Sequence, residues 1–268
     1  MSYDRKPWLL YILAFAAYAF LFIPIIVVIG NSFNVDSSMV SWGGFTTSWY
    51  DLAWSDPIVQ DAATASVEIA LVVTAASAVL GTISALALDR SKRWVRGVLS
   101  GSTYARIVVP ELVLALALLV FLVKIGFPRG FWSIAVGHTV FNSAYVTIIV
   151  AARLSARDRA LDAAARDLYA GPLRAFWRVT LPDILPAIVT GSLLAFTFSL
   201  DDVVTSYFLS GSTNTLPLVI LSLVRVTVTP TVNAIGAVLM CATLAMMTAV
   251  LIVNWRWSAG ARRPDGLA

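Results

Sequence analysis

Six apolar stretches, each long enough to cross a lipid bilayer as a helix, constrain this sequence more than any other feature. A hydrocarbon core takes about 20 helical residues, because backbone polar groups inside it must bond within their own segment. The stretches are almost free of charge and cover residues 9–29, 67–88, 107–123, 131–152, 184–209 and 231–255. We therefore expect an all-α polytopic membrane protein with six transmembrane helices.

The composition argues against a soluble enzyme. Only 13% of the 268 residues are charged and 59% are hydrophobic, whereas an ordinary soluble domain has roughly 25% charged residues. Too few charges remain to cover a water-soluble globule of this length. No tandem repeat or low-complexity segment divides the sequence, so we expect a single integral membrane domain over residues 1–268.

The distribution of basic residues predicts the orientation, because cytoplasmic loops carry an excess of Lys and Arg. Most of the 19 Lys and Arg lie in the N-terminus, in the loops after the second and fourth stretches, and in the C-terminal tail. The opposite side holds Lys124, Arg129 and Arg225. We expect both termini to be cytoplasmic.

The outer segment, residues 31–62, is rich in Ser, Thr, Gly and Trp. Its aromatic side chains suit the lipid headgroup layer. Two interpretations remain open, an aromatic belt without a partner and a docking surface for an external protein. The aromatic residues are Trp42, Phe45, Trp49, Tyr50 and Trp54.

The inner loop, residues 153–183, is the longest cytoplasmic connection and is patterned. The composition predicts an amphipathic helix over Arg157–Tyr169, and then Gly171 and Pro172 stop and restart the helix. A second short helix, Pro172–Val179, is expected to end at Leu181-Pro182. The loop is either a solvated linker or a rigid lever pressed into another protein.

Three acids lie inside predicted spans, where a carboxylate costs about 2.5 to 3.5 kcal/mol and usually faces a cavity. Asp201 and Asp202 extend two polar rows on the fifth span, one with Thr197 and Thr205 and the other with Ser199 and Ser206. Glu111 follows Pro110, which opens the backbone hydrogen-bond ladder. The acids either contact a cationic substrate or pair with Arg106, Arg225 or a partner subunit.

Other residue types carry little chemistry. His138 and Asn142 are four residues apart in the fourth span, where a polar contact between helices is a better expectation than a proton relay. One His and one Cys give no metal cluster. The sequence has no G-x-x-x-x-G-K-[ST] phosphate loop. We therefore expect neither a cofactor nor ATP hydrolysis in this chain.

The run from Ala163-Ala164-Ala165 to Leu181-Pro182 resembles the EAA loop of ABC importer permeases. Aligned on Leu181-Pro182, the usual Glu of that family falls on Ala163, with Asp162 one place earlier, and the usual Gly falls on Tyr169. The resemblance implies a coupling helix that binds a cytoplasmic ATPase. The residues that it assigns to this role are Asp162, Ala163, Ala164, Ala165, Asp167, Gly171, Pro172, Phe176, Leu181 and Pro182.

The similarity extends to Val109-Pro110-Glu111, Gly137-His138-Thr139 and the run from Leu194 to Asp202, which resemble the second permease subunit of spermidine/putrescine importers. The resemblance implies a type I ABC importer permease in the bacterial inner membrane. Its partners would be a homologous second permease, two ATP-binding subunits that carry the ATP and Mg, and an external substrate-binding protein, with no nucleic acid. Asp201, Asp202, Glu111, Tyr207 and Phe208 would line the path of a polyamine.

Two alternatives remain. The first is an importer of the same architecture for an opine, a phosphonate or ferric ion. The second is an ATP-independent secondary transporter or channel, against which the lack of internally repeated broken helices argues.

Overall fold

The computed structural model describes residues 8–158, 160–226 and 228–260, and within these ranges it describes every side chain except those of 161–163, 166, 253, 254 and 256–260. Five helices are long and apolar enough to cross a membrane, and a bent helix pair makes a sixth crossing if it counts as one span. Within the described ranges there is no β-strand, only an isolated bridge between Asn34 and Phe45. The all-α polytopic prediction is confirmed.

The helices follow one another with short connections, except for the longer segment 32–47 between the first two. In chain order they are α1 (Trp8–Asn31), α2 (Ser48–Ser55), α3 (Pro57–Arg90), α4 (Arg93–Val108), α5 (Glu111–Lys124), α6 (Phe131–Ala156), α7 (Ala160–Asp167), α8 (Pro172–Ala175), α9 (Leu181–Asp201), α10 (Val204–Leu209), α11 (Leu216–Val226) and α12 (Pro230–Gly260). A π-helical turn, Phe176–Thr180, joins α8 to α9.

The chain divides into two compact units. The first unit contains the described residues up to Gln60 together with Ile220–Cys241. The second contains Asp61–Val219 and the described residues from Ala242 onward. All contacts of the candidate site lie within the second unit.

The core of the second unit is built where α6 packs against α3 and α9. Small residues allow this approach, because a Cβ added at Gly81 or at Gly191 would lie 2.5 Å or 3.2 Å from Val146. One buried cluster lies along the second half of α6, and another surrounds its first half. The first comprises Ala85, Val146, Val150, Leu154, Ile184, Ala187 and Ala195, and the second Ile69, Val73, Leu122, Ile134, Ala135 and Leu209.

The third predicted span, residues 107–123, is not one helix. α4 ends at Val108 and α5 begins at Glu111, and the two helices are bent by 109°. Pro110 explains the break, because proline has no N–H to donate and disfavours helical backbone at the preceding residue, Val109.

The inner loop contains both predicted helices, with different ends. The first helix is α7, shorter than Arg157–Tyr169, and its last turn closes when the Ala170 N–H donates to the Ala165 carbonyl over 3.0 Å. Tyr169 takes left-handed backbone, with φ of 55°, which is the position that glycine usually fills at a helix end. Gly171, expected to stop the helix, is instead extended just before α8.

The second helix of the loop does not end at Leu181-Pro182, contrary to the prediction. Pro172–Asp201 is a continuous helical segment of 30 residues. The π-helical turn before Leu181 shifts the backbone hydrogen bonds, and Pro182 then lies in the first turn of α9, where its missing N–H costs little. The short helix and the fifth span therefore form one rod.

The outer segment is folded around aromatic rings in the first unit. Phe33 stacks on Phe45 and contacts Tyr50, each with ring centroids 5.1 Å apart. The Trp49 indole donates to the Asn34 carbonyl over 2.7 Å. Hydrogen bonds from the Ser38 backbone and hydroxyl lower the pKa of the nearby Asp36 to about 2. Trp42 and Trp54 are exposed.

Candidate functional site

The fifth predicted span is interrupted at an acid. α9 ends at Asp201, Asp202 is extended with ψ of 114°, and α10 begins at Val204. One carboxylate oxygen of Asp202, Oδ1, accepts the backbone N–H of Thr205 over 2.8 Å and of Ser206 over 3.4 Å. An aspartate that binds backbone N–H groups three and four residues later caps a new helix. The two polar rows expected on one continuous helix are therefore broken here.

The break in the third span brings a second acid to the same place. Glu111 is the first residue of α5, directly after the bend at Pro110. Its Oε1 accepts the Thr205 hydroxyl over 3.3 Å, and its carboxyl group lies within hydrogen-bonding reach of that of Asp202. Two interrupted helices thus place their carboxyl groups side by side. Interrupted helices at membrane depth are tolerated where they are buried in protein or line a cavity.

His138 of α6 completes this cluster and is 1% exposed. Its Nδ1 lies 2.8 Å from Ser199 Oγ, and its Nε2 lies 3.1 Å from Ser206 Oγ and 3.4 Å from Asp202 Oδ2. We use the name acid cluster for Glu111, His138, Ser199, Asp202, Thr205 and Ser206. The sequence predicted a polar contact for His138 between helices but not these partners.

A glycine next to His138 allows this contact. A Cβ added at Gly137 would lie 2.6 Å from side-chain atoms of both Leu209 and Thr205 on α10. The absence of that Cβ lets α10 lie close against α6, so that the neighbouring imidazole reaches Ser206.

The remaining substrate-path predictions fall around the cluster. Asp202 has a side chain that is 10% exposed, whereas Asp201 is exposed and its side chain, within the described residues, makes no hydrogen bond or ion pair. Tyr207 is 51% exposed and contacts Phe208 edge to face, with ring centroids 5.4 Å apart. Only Asp202 and Glu111 are brought into direct contact.

Arg106 does not pair with these acids. Its Nη1 donates to the Val140 carbonyl over 3.1 Å and to Ser143 Oγ over 2.9 Å, and so joins α4 to α6. Among the described residues, no three His, Cys, Asp or Glu side chains are grouped to hold a metal ion.

The inner loop presents an exposed face around α8. Tyr169, Leu173 and Trp177 are 97%, 70% and 60% exposed. They line a shallow notch of about 530 Å³ together with Gly171, Pro172 and Arg174. Phe176 is half-buried and contacts Trp177 edge to face. Ala164 and Asp167 are exposed and Ala165 is buried, while the side chains of Asp162 and Ala163 lie outside the described ones.

The two ends of the loop are tied together by ion pairs that the sequence analysis missed. Arg153 Nη2 donates to Asp183 Oδ1 over 2.6 Å, and Arg157 Nη1 donates to the Thr180 hydroxyl over 3.3 Å. Arg157 Nε lies 3.7 Å from Asp183 Oδ2. We call Arg153, Arg157, Thr180 and Asp183 the loop clamp. The sequence signal that could have predicted these pairs is the opposite charge of Arg153 and Arg157 at one end of the loop and Asp183 at the other.

Comparison with known proteins gives one family. Residues 77–258 match the model of the binding-protein-dependent transport system inner membrane component. The chain is 39% identical to the spermidine/putrescine transport system permease protein PotC of Haemophilus influenzae, over 87% of this chain and 91% of that protein. It is also 39% identical to the putrescine transport system permease protein PotI of Escherichia coli strain K12, over 88% and 86%.

A solved structure shares the fold. A bacterial ABC transporter involved in the import of the acidic polysaccharide alginate superposes with a TM-score of 0.67 at 16% identity, covering 97% of this chain and 98% of the other. At this identity the likeness concerns the fold alone.

Proposed function

This chain belongs to the binding-protein-dependent transport system inner membrane component family, and we propose that it is the permease subunit of an ATP-driven importer of polyamines such as putrescine and spermidine. The chain is a multi-pass inner-membrane transport component and not an enzyme. The identity to PotC and PotI, which extends over most of their length, supports the polyamine assignment.

The observation that carries the substrate class is the contact between Glu111 and Asp202. Two carboxyl groups can lie side by side only with a proton or a cation between them, because two adjacent negative charges repel strongly away from bulk water. An ammonium group supplies that charge and donates hydrogen bonds to both acids. An anionic opine or phosphonate has no such attraction to this place.

The rest of a polyamine needs apolar walls and further acids. Between its ammonium groups the ligand is a flexible aliphatic chain, and aromatic faces attract its cations. Tyr207, Phe208 and Asp201 lie within six residues of Asp202 and offer these types of group. We propose that they line the path beyond the acid cluster.

The inner loop is proposed to transmit the work of the ATPase. The exposed notch around Tyr169 and Trp177 offers a docking surface, and the continuous rod from Pro172 to Asp201 runs from that surface to the residue next to Asp202. The loop clamp supports a rigid connection, because it fastens the end of α6 to the start of α9. A displacement of the loop would therefore tilt both helices and open or close the acid cluster.

The proposed assembly contains this chain, a homologous second permease, two cytoplasmic ATP-binding subunits and an external binding protein. ATP and Mg would bind to the ATPase chains. The basic residues flanking the apolar stretches support cytoplasmic termini and a cytoplasmic loop 153–183. In this orientation, the aromatic outer segment faces the binding protein.

The test is uptake of labelled putrescine by the complete transporter in liposomes. We expect uptake to require ATP and the binding protein, and Asp202→Asn or Glu111→Gln to lower its rate about tenfold or more, since each removes a charge used by the passing cation. Glu68→Gln is the matched control, because Glu68 is an exposed acid remote from the cluster in sequence. Uptake by this chain alone without ATP would instead indicate a channel or secondary transporter, and uptake of an opine, a phosphonate or ferric ion in preference to polyamines would indicate the other importer class.

A further inference from the structure

His138 is a buried titratable group to which the proposed transport cycle gives no task. Both of its ring nitrogens have polar partners within the described residues. A histidine with no solvent contact and two satisfied nitrogens is held in one orientation. It therefore acts as a fixed point on α6.

The partners of this ring lie on both sides of the helix break. Ser199 belongs to the last turns of α9, and Ser206 belongs to α10. One imidazole thus bonds two separate helices, with the extended residue Asp202 between them. Because the backbone at Asp202 is extended rather than helical, the angle between α9 and α10 depends on contacts of this kind.

The same ring also contacts the carboxylate between the helices. Asp202 Oδ1 is occupied by the backbone N–H groups of Thr205 and Ser206, and Oδ2 lies 3.4 Å from His138 Nε2. A proton on Nε2 satisfies all the contacts, since Ser199 Oγ–H then donates to Nδ1 and Nε2–H points at Ser206 Oγ and Asp202 Oδ2. Both carboxylate oxygens of Asp202 therefore have polar partners that restrict their direction.

We propose that His138 is a positioning residue that clamps α9 and α10 across their break and so fixes the direction of the Asp202 carboxylate for the arriving ammonium group. The proposal rests on the proposed function, because it assumes that Asp202 meets the substrate. His138 itself does not touch the ligand. Its effect passes through Asp202, which it holds beside Glu111.

Infrared spectroscopy of the assembled transporter tests the positioning directly. The carboxyl band of Asp202 is identified by its loss in Asp202→Asn. We expect His138→Gln to shift this band, because glutamine cannot bond Ser199, Ser206 and Asp202 together. Asn142→Ala is the control, since Asn142 is buried one turn further along α6, and it should leave the band in place. An unshifted band in His138→Gln would overturn the proposal.

Uptake kinetics supply the second readout. In His138→Gln we expect the maximal uptake rate per assembled transporter to fall about tenfold, with the half-saturating putrescine concentration unchanged because the binding protein captures the ligand. An unchanged maximal rate would also overturn the proposal. If His138→Gln does not assemble, Ser206→Ala removes the hydrogen bond between His138 and α10. This variant should give a smaller shift of the Asp202 band and a smaller loss of the maximal uptake rate. Failure of the proposed function is recognised separately, because Asp202→Asn would then transport putrescine normally.

Discussion

Arg153 in the last turns of α6 donates a 2.6 Å hydrogen bond to the carboxylate of Asp183 in the first turn of α9, and its Nε donates to the Asp183 backbone carbonyl over 3.1 Å. The 29 residues between Arg153 and Asp183 are thereby held at their two ends. Because α6 and α9 also pack along their length, a force on the loop reaches both helices together.

Breaking this contact is expected to separate ATP hydrolysis from transport. Arg153 is 45% exposed, so the pair contributes about 0 to 1 kcal/mol to folding and Arg153→Gln should still assemble. We expect this variant to transport fewer putrescine molecules per ATP, measured as the ratio of uptake to phosphate release in liposomes. Arg93→Gln is the matched control, since it removes an exposed positive charge near the start of α4. Equal ratios of uptake to phosphate release in the two variants would contradict a coupling role for the loop clamp.

The backbone of Tyr169 provides a second prediction. A non-glycine residue in the left-handed region costs roughly 1 to 2 kcal/mol, and more if its side chain is β-branched. We expect Tyr169→Asn to strengthen the end of α7 and Tyr169→Val to weaken it. The measurement is hydrogen exchange at the Ala170 amide, which bonds the Ala165 carbonyl. Exchange should slow in the first variant and accelerate in the second, and the opposite order would refute the role of this residue as the helix end.

Much of the fold could be predicted from the sequence, because a segment that crosses a lipid bilayer must be a long, nearly uncharged helix with internally bonded backbone groups. Apolar length and the absence of charge located the crossings, and Pro172 correctly marked the restart of a helix after Gly171. The break at Pro110 and the irregular third span follow from the chemistry of proline alone. These features depend only on local backbone chemistry and on the solvent.

The features that the sequence analysis missed depend on contacts distant in the chain or on local competition. Asp202 lies at the break between α9 and α10, where its carboxylate accepts the backbone N–H groups of Thr205 and Ser206, and hydrophobic periodicity does not predict this capping. Pro182 did not end its helix, because the π-helical turn Phe176–Thr180 just before it shifts the backbone hydrogen bonds and leaves Pro182 in the first turn of α9. The partners of His138 lie 61 and 68 residues away, so only the packed structure brings them together.

The outer loop around Asp36 should resist acid. Its carboxylate accepts hydrogen bonds from the Ser38 amide and the Ser38 and Ser41 hydroxyls, which lower the pKa of Asp36 from 3.8 to about 2. The charged form is the bonded form, so the stabilisation is complete above pH 3.8 and disappears as the pH falls through about 2. Carbon-13 NMR of the labelled Asp36 carboxyl should give the low midpoint, and Ser38→Ala should raise it. A midpoint near the ordinary value in the native chain would contradict these bonds.

The close approach of α6 and α10 at Gly137 predicts a graded loss of stability. A Cβ at this position would lie 2.6 Å from Leu209 Cδ1 and from Thr205 Cγ2, so these side chains must move to admit it. Leu209 is fully buried and has little room to move. We expect Gly137→Ala to lower the free energy of unfolding by about 1 to 3 kcal/mol, and Gly137→Val to lower it further because a β-branched side chain is larger and stiffer.

The control for this substitution is Gly101→Ala on α4, where an added Cβ meets nothing within 4 Å. Alanine there should stabilise the helix by about 1 kcal/mol through its better helix propensity. Thermal unfolding of the detergent-purified transporter, followed by size-exclusion chromatography, compares the two. Since His138 follows Gly137 directly, Gly137→Val should also move the ring away from Ser206 and reduce uptake. Equal melting temperatures for Gly137→Ala and Gly101→Ala would mean that α10 does not lie against α6 as closely as described.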